Sequence, residues 1–232
     1  YVDRAYSDLK SYFIQGAYTN GSTLIKAISF GGHEKTYQAW DGLSMDQVLE
    51  NRRQNPLTYE NEIDNYKQDH FQLHWNEKIS NYWSFNLGLN YTDGRGYFEQ
   101  YKEDDDINTY GGIVKSDIDS NGNETGTTDL IRRRWLDNDF YVLNSSINYI
   151  KDKIDLTLSS SYSSYVGDHY GEVIWARSLS NIGEIRDRYY EGLGEKKDLS
   201  FFAKLLYSIN KKTELYTDIQ LRGVKYNTSG IT

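Results

Sequence analysis

Apolar side chains recur at every second position along several stretches of this chain, and that period constrains the fold more than any single motif. In Trp83-Ser84-Phe85-Asn86-Leu87-Gly88-Leu89-Asn90-Tyr91, odd positions are apolar or aromatic and even ones small or polar. A helix would scatter these residues around its circumference, whereas a strand sorts them onto two faces. The same sorting recurs at Phe71, Leu73, Trp75, at Tyr141, Leu143, Ser145, Ile147, Tyr149, and at Ile154, Leu156, Leu158, Ser160, Tyr162. It returns at Phe201, Ala203, Leu205, Tyr207, Ile209 and, more mildly, at Leu215, Thr217, Ile219, Leu221. Two further strands are predicted near Leu9–Ala17 and Leu24–Phe30, where Gly16 and Lys26 blur the pattern.

A β-sandwich alternates in the same way, so the connections decide. Short turns are predicted at Asn20-Gly21, Ser80-Asn81, Lys151-Asp152 and Asn210-Lys211-Lys212, Asn-Gly being a strong hairpin signal. Between the hairpins lie long polar stretches, roughly 33–64, 94–137 and 166–196. Compact soluble domains rarely carry three structureless loops of that length. Short turn alternating with long loop is the rhythm of transmembrane barrels, whose short turns face the periplasm and long loops the exterior. Trp83 and Tyr91 bracket Phe85, Leu87 and Leu89, while Tyr141 and Tyr149 bracket Leu143 and Ile147. Eight residues at about 3.3 Å each, tilted about 45°, rise roughly 19 Å, near the height of a lipid-facing band with an aromatic residue at each interface.

Composition agrees. Hydrophobic residues make up only 38% of the 232 residues, yet aromatics reach 15%, with 22 Tyr. That is thin for a soluble core and too aromatic for disorder, but it suits a barrel whose outward face alone must be apolar. Cysteine is absent, which excludes disulfides and thiolate metal sites. A net charge of -8 argues against nucleic acid, which needs a basic footprint. No run of about 18 apolar residues exists to make a membrane helix. The opening Tyr1-Val2-Asp3-Arg4 is not a signal peptide.

The stretch Gly21–Ala27 with Phe30-Gly31-Gly32-His33-Glu34-Lys35-Thr36-Tyr37-Gln38-Ala39-Trp40 resembles barrel segments of TonB-dependent outer-membrane receptors, particularly those of Bacteroidetes-type bacteria. So do Asn65–His74, Leu89–Lys102, Trp135–Tyr141 and Tyr170–Arg177. The resemblance runs over nearly the whole chain but reaches only a middle portion of the family's barrel. Neither the plug and TonB-contacting segment nor a closing strand has a counterpart. Residues 1–232 are therefore read as an excerpt, about eight strands of a barrel that would have roughly 22. The resemblance implies uptake of a scarce, bulky ligand, above all an iron–siderophore chelate, driven by the TonB complex through the missing plug. Outer-membrane lipid and lipopolysaccharide would be its surroundings.

Several motifs fall short of chemistry. His70 and His74 lie on a strand, roughly 13 Å apart, too far to share a metal; with Gln72 and Asn76 they are expected to face the lumen. His33-Glu34 fails the zinc-protease pattern, because position 37 is Tyr. Asp117-x-Asp119-x-Asn121-Gly122 starts like a calcium loop, but its twelfth position is Thr128, so an Asx turn is expected. In the one basic cluster, Arg132 and Arg134 share a strand face and Arg133 takes the other. These arginines suit carboxylate, phosphate or an anionic chelate, or else pair with the acidic run Glu103-Asp104-Asp105-Asp106 or with lipopolysaccharide phosphates. Gly94-Arg95-Gly96-Tyr97 lacks the third glycine of a phosphate loop and reads as a strand running on. Ser44 caps a predicted short helix through Glu50.

The expectation is an all-β, antiparallel transmembrane barrel segment acting as receptor and transporter, not as an enzyme, with no catalytic set and no cofactor. Among the loop-base aromatics Tyr97, Phe98, Tyr101, Tyr165, Tyr170 and Trp175, the candidate ligand contacts are Tyr97, Tyr101 and Trp175, together with Arg177. The competing readings are a soluble carbohydrate-binding β-domain, an outer-membrane enzyme needing an outward Ser–His pair, and a passive porin-like channel.

Overall fold

The computed structural model describes residues 2–231. Its framework is one antiparallel sheet of eight strands: β1 (Ser7–Asn20), β2 (Thr23–Tyr37), β3 (Ile63–Lys78), β4 (Trp83–Asp106), β5 (Thr127–Lys151), β6 (Ile154–Ala176), β7 (Arg188–Asn210) and β8 (Thr213–Ile231). Each strand pairs with the next in sequence, so the sheet is a simple meander. All eight strands stand where alternation predicts them, and the four short turns fall where expected. Gly21 takes the left-handed conformation (φ 54°) that its turn requires.

The loops differ from expectation. The strands continue well past the alternating segments, so the long connections shrink to 38–62, 107–126 and 177–187. Tyr97, Tyr101, Tyr170 and Trp175 consequently sit on strands. Alternation of apolar residues fades there because both faces carry polar and aromatic side chains, but the backbone ladder does not need it: Leu130↔Ala176 and Tyr97↔Trp135 still pair. Pairing makes hydrogen bonds whatever the side chains are.

The sheet has an apolar and a polar face. Leu73, Leu89, Leu143, Tyr162 and Leu199 are successive cross-strand partners from β3 to β7, and each is exposed. Beside them run Phe71, Tyr91 and Tyr141, stacked at 6.1 Å and 4.7 Å between ring centroids. A soluble protein seldom leaves an apolar surface of this extent uncovered. The opposite face carries His70, Gln72, His74 and Asn90. There His70 Nδ1 lies 2.9 Å from Thr92 Oγ1, Gln72 donates to Asn90 at 3.2 Å, and His74 meets Gln72 at 3.3 Å. Lys26, opposite His74, belongs to this polar face, which is why it does not break β2.

Among the described residues, buried apolar side chains gather only at the long-loop end. Tyr110, Ile113, Val114, Leu130 and Val173 pack together there, beside the 3₁₀ turn Ile107–Tyr110. The predicted short helix is present as α1 (Met45–Asn51). Ser44 caps it, and the Gln47 side chain accepts from the Ser44 backbone to complete a capping box. Among the described residues no helix is long and apolar enough to cross a membrane.

Candidate ligand-facing site

Toward the long-loop end, one cross-strand row of the polar face reads Asp64, Phe98, Arg134, Gly171, Tyr190 from β3 to β7. Gly171 sets its geometry. A Cβ at that position would collide with the rings of Tyr189 and Tyr190, 2.5 Å from Tyr190 Cε1. With only hydrogen there, Tyr190 lies across β6 and reaches β5. Arg134 Nε donates to Tyr190 Oη at 3.1 Å, and the guanidinium carbon sits 5.4 Å from the Tyr190 ring and 5.5 Å from the Phe98 ring. Trp40, 59% exposed, meets Phe98 edge-on at 6.3 Å. The arrangement presents a positive group between aromatic surfaces, which suits an anion with a flat body.

Its two neighbours are engaged elsewhere. Arg132, on the same face, donates to Tyr110 Oη at 3.2 Å and Gln100 Oε1 at 3.1 Å, and lies 3.9 Å from Asp105. Arg133 takes the other face, donates to Glu99 at 2.8 Å and covers the Tyr97 ring at 4.2 Å. The face assignment made from the sequence holds; Arg132 makes a pairing with the acidic run considered there, at Asp105, whereas Arg133 pairs with Glu99 outside it. Arg132 Nε and Tyr189 Oη are buried without a hydrogen-bond partner; Tyr110 and Tyr189 pack edge-to-face at 4.8 Å beside them.

The four expected ligand contacts do not converge on one surface. Tyr97 lies on the apolar-face side of β4, 4.6 Å from Trp135, whose Nε1 donates to Glu172. Trp175 is exposed opposite Ile131. Tyr101 and Arg177 do come together, at Asp129: Tyr101 Oη donates at 2.6 Å, and Arg177 bridges Asp129 to Asp117, with 3.2 Å to the latter. Asp117 also accepts from Ser178 at 2.6 Å and Thr128 at 3.0 Å. Burial of Asp117 and Asp129 favours their neutral forms, but these hydrogen bonds and the Arg177 charge outweigh it and hold both carboxyls below their usual range. Donation to Asp129 pushes the Tyr101 phenol up to about 12.

The calcium-like loop is a turn. Asp119 accepts from the backbone of Asn121 and Asn123, both at 2.8 Å, while Asp117 is occupied by Arg177. Among the described residues no group of three His, Asp or Glu side chains stands ready for a metal. Gly171, Tyr190 and Trp40 were not singled out in the sequence as ligand contacts. Parity carried on from Asn90 to Phe98 and from Asn144 to Arg134 places Phe98 and Arg134 on the polar face; nothing in the sequence announces that Tyr190 crosses a strand.

No family model matches the sequence, and no curated protein matches it. Solved structures do. The ferric-catecholate import receptor Fiu from E. coli K12 matches in its open form with a TM-score of 0.65 at 10% identity, over 97% of this chain and 38% of that one. Its closed form gives 0.57 at 10% identity, over 98% and 36%. BauA, the ferric preacinetobactin receptor from Acinetobacter baumannii, gives 0.58 at 6% identity, over 98% and 35%. The chain thus spans under two fifths of the length of these receptors, and at such identities the likeness establishes the fold: an all-β, antiparallel wall of barrel type.

Proposed function

We propose that residues 1–232 are part of the barrel wall of an outer-membrane receptor that takes up a bulky ligand, an iron–siderophore chelate, with TonB supplying energy through a plug outside this segment. The observation that carries this reading is the sheet itself: one meander whose exposed apolar face includes Leu73, Leu89 and Leu143 and whose other face is polar. Such a sheet needs an apolar medium on one side and water on the other. In the described residues β1 pairs only with β2 and β8 only with β7; in lipid, those edges must be closed by further strands of the same polypeptide.

The likeness to two ferric-chelate receptors supports the choice of cargo. The polar face offers ligand contacts at Phe98, Arg134 and Tyr190; further candidates are Tyr97, on the other side of β4 at the same level, and Tyr101, Trp175 and Arg177, nearer the long loops. Lipid and lipopolysaccharide would contact the apolar face. The segment makes and breaks no covalent bond in this reading. Uptake of radiolabelled ferric chelates by cells with and without the full-length protein tests it. Accumulation that needs the protein and stops when TonB is removed is expected. Equal accumulation in both strains, or recovery of the protein in the aqueous fraction without detergent, would overturn it.

A further inference from the structure

Three consecutive arginines occupy β5, and their partners differ. Arg132 has Asp105 within 3.9 Å and Arg133 has Glu99 at 2.8 Å. Arg134 has no carboxylate within ion-pair distance among the described residues; its one hydrogen bond goes to the neutral Tyr190 hydroxyl. The nearest acid along its row, Asp64, lies on the strand beyond Phe98. Arg134 is thus an exposed guanidinium with no carboxylate partner, held in place by Tyr190, on an acidic chain (net charge -8).

We propose that Arg134 binds the anionic edge of a planar aryl acid, with Phe98 as its stacking surface and Gly171 and Tyr190 as the parts that aim the guanidinium. This deepens the transport reading and rests on it for the ligand's route to the site. Tyr190 occupies Nε, so both terminal nitrogens keep their donors, the fork that matches a carboxylate or a pair of phenolate oxygens. The rings of Phe98 and Tyr190 lie on either side of the guanidinium, and Trp40 extends the Phe98 wall. A cation is repelled there, and a compact inorganic anion leaves the ring faces unused. Gly171 is a positioning residue: a Cβ there meets the Tyr189 ring first and the Tyr190 ring next, so the tyrosine pair must shift, and Arg134 loses the placement of its orienting partner while keeping its charge.

The test uses the full-length protein purified in detergent, with salicylate as the anionic aryl probe and benzamide as the neutral one, followed by ligand-observed NMR. Salicylate should bind and benzamide should bind more weakly. Arg134→Gln should weaken salicylate about ten-fold or more, the loss of one charge-assisted contact, and leave benzamide unchanged. Arg134→Lys should retain part of the affinity, and Gly171→Ala should lower it with Arg134 intact. Arg52→Gln, at the end of α1, serves as control and should change nothing. Salicylate affinity unaltered in a folded Arg134→Gln variant, or no salicylate binding by the wild type, would overturn the proposal. Failure of the transport reading shows separately, as ferric-chelate uptake that does not need the protein while salicylate binding still depends on Arg134.

Discussion

Tyr91 and Tyr141 face each other across β4 and β5 with ring centroids 4.7 Å apart, and eight residues along the same pair of strands Trp83 and Tyr149 meet at 4.6 Å. The two aromatic brackets read from the sequence are therefore one structure, a pair of rings at each end of a shared apolar field containing Leu89 and Leu143. Tyr91 adds a hydrogen bond of 2.6 Å to Asp139, one step beyond the field. A ring with an apolar body and a bonded hydroxyl is what a boundary between hydrocarbon and water selects.

Arginine substitution distinguishes the faces. Leu89→Arg places a charge inside the apolar field, one step from its Tyr91 border, and should cost about 1–3 kcal/mol of stability in bilayers, between the midplane and interface costs. Asn90→Arg, the next residue, points to the polar face and should cost much less. Urea unfolding of the full-length protein in lipid vesicles measures both. Equal costs at the two positions would remove the membrane assignment of the apolar face.

Glycine spacing on β4 gives a second contrast. Tyr66 lies over Gly94 and Gly96 and accepts from Asn138 at 3.2 Å. A Cβ at Gly96 would run into the β3 backbone, 2.6 Å from Tyr66 Cα, whereas at Gly94 it meets the Tyr66 hydroxyl and Asn138 side-chain atoms, 3.0 Å from the nearest of the latter. Backbone does not yield and side-chain ends do. Gly96→Ala should therefore cost roughly 1–3 kcal/mol, as overpacking does, and Gly94→Ala less. Thermal unfolding of the two variants checks the order; the reverse order would mean that Tyr66 is not held over Gly96.

The strands, turns and two faces were legible because each rests on a local rule: period two for Trp83–Tyr91, Asn-Gly at the first hairpin, Ser44 before α1. Strand length was not, because the extensions holding Tyr97 and Trp135 are two-sided polar and aromatic, and their pairing is set by the backbone. The Arg132–Arg133–Arg134 face assignment followed from parity. The role of Gly171 did not, since it depends on a tyrosine from the neighbouring strand. Arg177 is a candidate ligand contact from the sequence; its two carboxylate partners, Asp117 and Asp129, were not legible there because they are 60 and 48 residues away.

That Arg177 bridge latches the 107–126 connection to the start of the 177–187 connection, next to the backbone bond from Lys115 to Ser178. Asp117 and Asp129 titrate below their ordinary values in the folded protein. A depressed carboxyl contributes stability above its unfolded value, near 3.9, and the contribution is lost as pH falls through the folded value. Hydrogen exchange of residues 107–126, corrected for intrinsic rates, should therefore be slow at neutral pH and rise below about pH 4. Arg177→Gln should show fast exchange at both. Exchange independent of both pH and the substitution would show that the latch does not hold the connection.

Glu62 responds with the opposite sign. It is 2% exposed and accepts from the Tyr101 backbone at 3.3 Å, while its own carbonyl accepts from Gln38 N at 2.7 Å. Burial raises its carboxyl above the ordinary value, with the Tyr101 bond and Lys102 opposing and Asp41 and Glu99 adding to the rise. A raised acid is bound to a proton in the folded state where the unfolded chain has already lost it, so its favourable contribution is full below the unfolded value and fades as pH climbs through the folded one. Where the carboxyl ionises, the fold carries a buried charge whose main acceptor role an amide can fill. Glu62→Gln keeps the acceptor for Tyr101 and removes the charge, so it should stabilise the protein by on the order of 1 kcal/mol at pH 7, with the gain shrinking toward pH 4. Thermal unfolding of both proteins at the two pH values reads this directly. A variant less stable than wild type at pH 7 would mean that the carboxylate is held charged by Lys102, and that the 38–62 connection depends on that charge.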